Sequence, residues 1–398
     1  MTLLNAERLC AMMERHGFDA IVATSPENVT YSSGYWALSQ WIRRGPQTYV
    51  IWPAPGRGAP RIVASAGLLD LLADQEINVE QVSKFGAFFV EADANAELSA
   101  ADQRQIELYA LPNEDSAKAG LAAALAELGL DKARIGIDES GLAPALDAFA
   151  LDECADATVM PAFEIFRQVR AVKTEEEVAR LQMAAHIAEA SIEAALRIAA
   201  PGVTEAEMGL EFNLETVRRG GLPVLYCIGT GPRSAMPNVQ PADRALQDGD
   251  IIRFDGGGRY QHYRADIART AVLGTPSEKI KAYHHALYRG MERGLEHLRP
   301  GARAADIFNV VVETVRSEGI PHYRRSHVGH GIGLDGYDLP NLTPASTDII
   351  EEGMVLCVET PYYELGFGGL QVEDMVVVRR DGVQPLMGTS GKLRVIAS

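Results

Sequence analysis

The sequence of 398 residues predicts an α/β protein with two domains. Its length exceeds what one ordinary hydrophobic core accommodates. Strand-like and helical segments alternate in the first part of the chain, whereas the second part contains a duplicated helical pattern. We therefore expect a small α/β domain over residues 1–165 and a larger domain over residues 166–398.

The first domain combines short apolar strands with amphipathic helices. The predicted strands cover 19–24, 48–54, 61–65 and 134–140, the predicted helices cover 5–16 and 116–128, and a turn-rich segment covers 25–36. Such alternation is typical of a mixed or mainly parallel sheet with helices packed on it.

The second domain begins with two helices whose first turns carry the same capping signal. Thr174 and Glu177 form a capping box at the start of a long helix, which Pro201-Gly202 ends. Thr204 and Glu207 repeat this capping box at the start of the next helix.

This pair of helices has a counterpart about a hundred residues later in the chain. Pro201-Gly202 and the ETVR at 215–218 are echoed by Pro300-Gly301 and the ETVR at 313–316. A glycine-rich strand region follows each copy. The repeat predicts two βαα half-domains that share one curved sheet, and a cleft between such halves is a natural place for a site.

Composition and charge limit the classes of function. The chain is 47% hydrophobic and 23% charged, with a net charge of −17, which argues against a nucleic-acid partner. No apolar run approaches the roughly 18 residues of a membrane span. The first residues lack the pattern of a secretory signal, and the four cysteines are scattered without CxxC spacing, so we expect reduced thiols and a cytoplasmic location.

The first candidate metal ligands lie on one hairpin. Strand-like runs flank a turn around Gly258–Gln261, which places Asp255 and Asp266 on neighbouring strands. Cross-strand neighbours approach within about 5 Å at Cβ, close enough for two carboxylates to meet one cation. Either aspartate alone is also compatible with a turn or cap residue, but a carboxylate inside an apolar strand needs a charged partner.

Three further candidates come from later strands. His330 lies between alternating glycines, Glu359 ends an apolar strand, and Glu373 lies in a nearly apolar one. Taken singly, the histidine is compatible with a structural role and each glutamate with a salt bridge. Together, four carboxylates and one imidazole from core-like strands indicate two divalent ions about 3.5–4 Å apart, with Mn²⁺ first and Fe²⁺, Co²⁺ or Zn²⁺ as alternatives.

At these residues the sequence resembles the pita-bread metallohydrolase family, which includes prolidase, aminopeptidase P, methionine aminopeptidase and creatinase. The segment 8–36 resembles a creatinase-type N-terminal domain, and 167–188 resembles the start of the catalytic domain. The GHGIGL at 329–334 and the VED at 372–374 are specific motifs. The resemblance implies a creatinase-like α/β domain followed by a pita-bread domain with a curved antiparallel sheet. It also places the ligand set of the family on Asp255, Asp266, His330, Glu359 and Glu373.

The residues that face substrate in Xaa-Pro peptidases of this family are replaced here. Two histidines and an arginine of the family correspond to Asn238, Tyr337 and Gln371. We expect these three to contact substrate, with Tyr337 also a candidate for proton transfer. Asp335 and His327, which flank the metal histidine, are the replacement acid–base candidates, although each also suits a structural role.

The resemblance also implies a homodimer in which the N-terminal domain caps the active site of the partner. Tyr35, Trp36, Trp41, Arg43 and Arg44 would then line the mouth of the pocket. Tryptophan and arginine suit a small cationic or carboxylate-bearing substrate. The alternative is a solvent-facing loop anchored by aromatic side chains.

Three functions remain open from the sequence. The first is a two-metal hydrolase resembling Xaa-Pro dipeptidase or aminopeptidase P, in which metal-activated water attacks an amide-type C–N bond and Glu359 is the base. The second is a metal-dependent enzyme for a small non-peptide substrate, resembling the dimethylsulfoniopropionate-cleaving lyases or creatinase. The third is a non-catalytic binding protein, which the complete ligand set and the acidic charge disfavour.

Overall fold

The computed structural model describes residues 2–42, 47–93, 95–142 and 156–398 of the chain. It divides into two compact units, Met1–Arg170 and Ala171–Ser398. The predicted domain boundary at 165/166 falls inside the helix Phe163–Ala171. In the part of the chain that is described, no helix combines the length and apolarity that a bilayer span requires.

The first unit is built on a seven-stranded mixed sheet. Its strands are β1 Ala20–Ala23, β2 Tyr49–Pro53, β3 Arg61–Ser65, β4 Gln81–Phe85, β5 Asn113–Glu114, β6 Arg134–Ile137 and β7 Thr158–Pro161. They are ordered β5-β4-β3-β2-β1-β6-β7, with β2 antiparallel to both neighbours and the other pairs parallel. Apolar residues of β1, β2, β3 and β6 form the core with Leu121 and Leu125. The mixed sheet agrees with the sequence pattern.

Seven helices are described in this unit. They are α1 Ala6–His16, α2 Pro26–Ser33, α3 Leu38–Trp41, α4 Leu69–Asp74, α5 Ala100–Tyr109, α6 Ala117–Glu127 and α7 Phe163–Ala171. Helix α2 occupies the segment predicted to be turn-rich. Its signals are a Ser25 N-cap, Pro26 in the first turn and a left-handed Gly34 at its end.

The second unit carries two helix pairs that cover a large sheet. The helices are α8 Glu175–Arg197, α9 Glu205–Arg218, α10 Glu278–His297 and α11 Ala304–Ser317. The predicted capping boxes start α8 and α9. In both copies an isolated antiparallel bridge precedes the second helix, Thr204 with Ala245 and Arg303 with Ile349. The structure therefore contains the predicted duplication.

The sheet of this unit has ten strands, of which all but one pair are antiparallel. Its strands are β8 Leu222–Thr230, β9 Ile251–Tyr260, β10 Tyr263–Arg264, β11 Ile267–Leu273, β12 Gly329–Gly331, β13 Asp338–Asn341, β14 Val355–Glu359, β17 Glu373–Arg379, β18 Gly382–Pro385 and β19 Arg394–Ile396, while β15 Tyr362–Glu364 and β16 Gly368–Leu370 form a separate hairpin. The main path is β10-β9-β11-β17-β14-β12-β13, and β19 runs parallel to β11. Side chains of α10, α11, β14 and β17 form the core.

Candidate metal centre

The five predicted metal ligands lie on or beside neighbouring strands of this sheet. Asp255 is within β9, Asp266 directly precedes β11, His330 is in β12, Glu359 ends β14 and Glu373 begins β17. The register pairs Asp255 with Ala268, Ala268 with Glu373, and Glu373 with Glu359. Because directly opposed residues share a face of a sheet, this register brings the carboxylates to one face.

Among the described residues, four of the five predicted ligands fall into two overlapping groups of donor atoms, and Glu359 is in neither group. In one group, oxygen atoms of Asp255, Asp266 and Glu373 all lie within 4.8 Å of one another. In the other group, donor atoms of His330, Cys357 and Glu373 meet the same limit. Glu373 belongs to both groups, so one carboxylate lies between two clusters of donors.

The hairpin that carries the two aspartates differs from the sequence prediction. Strand β9 continues through the predicted turn to Tyr260, and the chain reverses at Gln261 and His262, whose φ angles are 43° and 75°. Asp266 then precedes β11, and the residue opposite Asp255 is Ala268. The carboxylates still approach each other, because Asp266 and Ala268 are two residues apart and face the same side.

The carboxylates are crowded in a buried environment. Burial, followed by the charges of neighbouring carboxylates, raises the pKa of Asp266 and of Glu373 well above the usual range. Burial also raises the pKa of Asp255, against the opposing effect of Arg253. Among the described residues, Oδ1 of Asp266 is a buried atom without a hydrogen-bond partner. Such a cluster is costly unless a cation neutralises it.

The chemistry of the donors fits divalent metal ions. Carboxylate oxygens with one imidazole nitrogen match the preferences of Mn²⁺, Fe²⁺, Co²⁺ and Zn²⁺. The orphaned Oδ1 of Asp266 and the shared Glu373 carboxylate are the features that two adjacent cations would satisfy. The residues present therefore fit the predicted divalent metal ions.

Glu359 differs from Asp266 and Glu373 because a histidine, an arginine and a glutamine approach its carboxylate. His327 Nε2 is 2.7 Å from its Oε1, Arg325 Nη2 is 3.8 Å from its Oε2, and Gln371 Nε2 is 3.5 Å from the same Oε2. Burial would raise the pKa of Glu359, but the hydrogen bond from His327 and the charge of Arg325 lower it below the usual value. This arrangement keeps Glu359 in its ionised form.

Tyr337 lies against the predicted metal histidine. Its ring stacks on His330 with centroids 4.0 Å apart, while the residue remains 57% exposed. Burial of the phenol and nearby carboxylates raise the pKa of Tyr337, so it stays a neutral hydrogen-bonding group. Its backbone N–H lies 3.5 Å from Oδ1 of Asp335. Tyr337 thus combines contact with the site and access to solvent.

The other predicted substrate contacts occupy different environments. Asn238 is exposed, whereas Gln371 is 1% exposed. Oε1 of Gln371 accepts hydrogen bonds from Arg253 at 2.7 Å and from the Tyr363 hydroxyl at 3.3 Å. Gln371 therefore connects Arg253 with Glu359.

The predicted pocket-mouth residues belong to the first unit. Tyr35 is buried, and its hydroxyl donates to the carbonyl of Leu68. The indole N–H of Trp41 donates to Oγ1 of Thr30, and the backbone of Trp36 exchanges hydrogen bonds with the side chain of Gln75. Arg43 and Arg44 lie outside the described residues. The substrate roles of these residues remain predictions.

The structure adds three residues that the sequence analysis did not select. Arg253 lies two residues before Asp255 in β9, Cys357 lies two residues before Glu359 in β14, and Arg325 lies two residues before His327. For the two strand residues a signal was available. Positions i and i+2 of a strand share a face, so any polar residue two positions from a predicted ligand faces the site.

The chain matches two family models that cover most of its length. Residues 179–380 match metallopeptidase family M24, and residues 6–172 match the creatinase/prolidase N-terminal domain.

Curated relatives include two Xaa-Pro dipeptidases. The chain is 28% identical to the Xaa-Pro dipeptidase of Pyrococcus furiosus over 232 residues, which is 58% of this chain and 67% of the relative. It is 27% identical to the Xaa-Pro dipeptidase of Pyrococcus horikoshii over 268 residues, which is 66% of this chain and 76% of the relative.

Solved structures share the fold over nearly the whole chain. The Xaa-Pro dipeptidase from Bacillus anthracis superposes with a TM-score of 0.80 at 23% identity and covers 98% of each chain. Dipeptidase PepE from Mycobacterium ulcerans has a TM-score of 0.77 at 26% identity and covers 99% of this chain and 98% of the other. These similarities confirm the predicted fold class, a creatinase-like α/β domain followed by a pita-bread domain.

Proposed function

Because the chain belongs to metallopeptidase family M24, as its motifs predicted, we propose that it is a metal-dependent peptidase that hydrolyses Xaa-Pro dipeptides. The observation that carries this proposal is the pair of donor groups that share Glu373. The relatives named Xaa-Pro dipeptidase support the substrate class. They favour this function over the small-molecule enzyme that the replaced substrate residues suggested.

Asp255, Asp266, His330, Glu359 and Glu373 would hold two divalent ions. When bound, the ions would polarise the scissile carbonyl and lower the pKa of the attacking water. The group made of three carboxylates suits a hard ion such as Mn²⁺. The number and identity of the ions belong to this proposal.

Glu359 would act as the general base, and its neighbours would set its charge and orientation. The hydrogen bond from His327 and the contact with Gln371 fix the carboxylate in place, and Arg325 favours its ionised form. A proton taken up at Glu359 would pass to the leaving amine, with His327 within reach for transfer at 2.7 Å. Asp335 would support Tyr337 through the backbone contact.

Substrate would approach from the exposed side of Tyr337. The Tyr337 hydroxyl offers a neutral hydrogen bond, and Asn238 is a second exposed polar group for substrate. Trp36 and Trp41 would line the pocket mouth of a homodimer, as the family resemblance implies. Sedimentation equilibrium would test the homodimer, and a monomer at working concentrations would contradict that part of the proposal.

The first experiment is the metal content of the purified protein by elemental mass spectrometry, paired with turnover assays. We expect close to two metal ions per chain and faster turnover of Ala-Pro and Leu-Pro than of the matched dipeptides Ala-Ala and Leu-Ala. His330→Ala should lose metal and activity together, whereas His285→Ala, at an exposed histidine of α10, should lose neither.

Two outcomes would contradict the proposal. Full activity in metal-free protein would refute metal dependence. Bound metal without turnover of any Xaa-Pro dipeptide, but with turnover of a betaine-like osmolyte, would establish the small-molecule alternative instead.

A further inference from the structure

We propose that Cys357 is an additional metal ligand, so that the two metal positions differ in chemical character. One position would combine the nitrogen of His330, the sulfur of Cys357 and an oxygen of Glu373, and the other would be the carboxylates Asp255, Asp266 and Glu373. The first would select a softer ion such as Zn²⁺, Fe²⁺ or Co²⁺, and the second a harder ion such as Mn²⁺. This inference rests on the proposed metal-dependent function.

The strand register directs Cys357 toward the site. In the antiparallel pair β12–β14, Cys357 lies directly opposite His330, and two residues later the same strand presents Glu359. Directly opposed residues and residues two apart in a strand share one face. The thiol, the imidazole and the Glu359 carboxylate therefore point to the same side of the sheet.

The surroundings of the thiol are those of a ligand more than of a packing residue. Cys357 is 0% exposed, and the donor atoms that approach its sulfur belong to an imidazole and a carboxylate. Its Sγ lies 3.6 Å from the backbone carbonyl of Asp266, a weak contact that a metal bond would outweigh.

A second observation points independently to a cation at this place. Oδ1 of Asp266 is buried without a hydrogen-bond partner among the described residues, and Cys357 contacts the backbone carbonyl of the same residue. An unpaired buried carboxylate oxygen is costly without a cation. Cys357 therefore contacts the residue whose carboxylate has an unpartnered buried oxygen.

Binding of a metal ion by Cys357 needs no electron donor or acceptor. The sulfur–metal bond forms as the S–H bond of Cys357 breaks, and the proton passes to solvent. Cysteine coordinates metals as the thiolate, with Zn–S distances of about 2.3 Å.

Cys227 provides a matched control in the same sheet. It is also buried, and the β8–β9 register places it opposite Asp255. Among the residues that the structure describes, however, it is in neither group of donor atoms. If any buried cysteine near the carboxylates could bind the metal ion, Cys227 would do so as well.

The test is the absorption spectrum of the protein loaded with Co²⁺ after removal of its own metal. We expect wild type and Cys227→Ser to show a thiolate-to-cobalt charge-transfer band in the near ultraviolet. Cys357→Ser should lose this band while still binding cobalt, as measured by elemental analysis. A band that persists in Cys357→Ser, or that disappears in Cys227→Ser alone, would overturn the assignment.

A measurement on the wild type keeps the inference testable even if Cys357→Ser misfolds. X-ray absorption of the zinc-loaded protein should detect a sulfur neighbour at about 2.3 Å. Bound zinc with nitrogen and oxygen neighbours alone would refute the role of Cys357 and leave the peptidase proposal standing. Failure of the wild type to bind cobalt or zinc would refute the metal centre itself, and this inference with it.

Discussion

At the scale of single residues, Arg253 shows how the structure tolerates a cluster of acidic side chains. Its guanidinium donates to the carbonyls of Ser234, Met236 and Pro237, to Oε1 of Gln371, and at 3.4 Å to Oδ2 of Asp255. Each of its N–H groups thus has an acceptor, and the side chain is fully buried. Arg253 therefore supplies fixed positive charge directly behind Asp255.

Replacing Arg253 with lysine should separate its charge from its geometry. Lysine keeps the charge but cannot reproduce five planar donors, so we expect Arg253→Lys to lower the free energy of unfolding by about 1–3 kcal/mol. Urea denaturation in the presence of a chelator would measure this change in the free energy of unfolding. The control is Arg293→Lys on the surface of α10, which should change stability by less than about 0.5 kcal/mol. Equal effects at both positions would contradict the role of Arg253.

The Asp266 carboxylate should destabilise the metal-free protein, and metal binding should offset this destabilisation. Asp266→Asn removes a charge from the crowded carboxylates, so we expect metal affinity to fall and the stability of metal-free protein to rise by about 1 kcal/mol. Metal titration and urea denaturation would test the two effects. In the control Asp250→Asn, the carboxylate that pairs with Arg244 is lost, so stability should fall. A loss of stability in Asp266→Asn would indicate a structural carboxylate instead.

The sequence predicts which residue types converge but not what surrounds them. Asp255, Glu359 and Glu373 were recognisable because charged residues in apolar strands need partners. Arg253 and Cys357 stand in the same strands, yet their significance depends on the hydrogen bond from Arg253 to Gln371 and on the register that sets Cys357 opposite His330. Register follows from pairing between distant strands, which a single sequence does not specify.

At the scale of elements, the glutamates of the two capping boxes in the second unit have pKa values shifted in opposite directions. Glu177 of α8 is buried, and its carboxylate accepts hydrogen bonds from the backbone N–H of Thr174 and from the hydroxyl of Tyr263. Burial raises its pKa from 4.5 to about 7, against the attraction of Lys173. In the exposed box of α9, hydrogen bonds from Thr204 lower the pKa of Glu207.

This contrast predicts opposite effects on the dependence of stability on pH. Between pH 4.5 and about 7, native Glu177 holds a proton that the unfolded chain has released, so stability should fall as pH rises through this window. Glu177→Gln should remove this part of the slope in denaturation measured at several pH values.

Glu207→Gln is the matched control for that experiment. Because the pKa of Glu207 is lowered on folding, its contribution is lost as pH falls through the acidic range, and its removal should leave the slope between pH 4.5 and 7 unchanged. An unchanged slope in Glu177→Gln would contradict the assignment of the proton to this carboxyl.

Helix α2 shows where sequence patterns at this scale were misjudged. The segment 25–36 is rich in serine and turn-forming residues, which predicted turns. In the structure, the hydroxyls of Ser32 and Ser33 donate to carbonyls four residues earlier, within the helix. Serine is thereby accommodated in a short buried helix, because its polar group is satisfied locally. Helices α8 and α9 were predictable because their capping boxes and their apolar periodicity indicate the same helical segments.

At the scale of the whole molecule, every predicted metal ligand belongs to the second compact unit. Metal binding should therefore stabilise this unit by mass action. We expect a chelator to lower its melting temperature by several degrees and the added metal to restore it. Differential scanning calorimetry would measure the shift. Asp266→Asn should be nearly insensitive to the chelator, and a chelator effect as large as in wild type would contradict the ligand assignment.

The order of strands along the chain also has a consequence for synthesis in the cell. The predicted ligands lie on strands from β9, which begins at Ile251, to β17, which begins at Glu373. A nascent chain thus carries Asp255 and Asp266 without the two glutamate ligands until β17 has been synthesised. We expect metal ions to act as a template when β17 docks beside the strands that carry the aspartates, so that refolding in the presence of a chelator is slower. Equal refolding rates with and without metal would show that the carboxylates come together unaided.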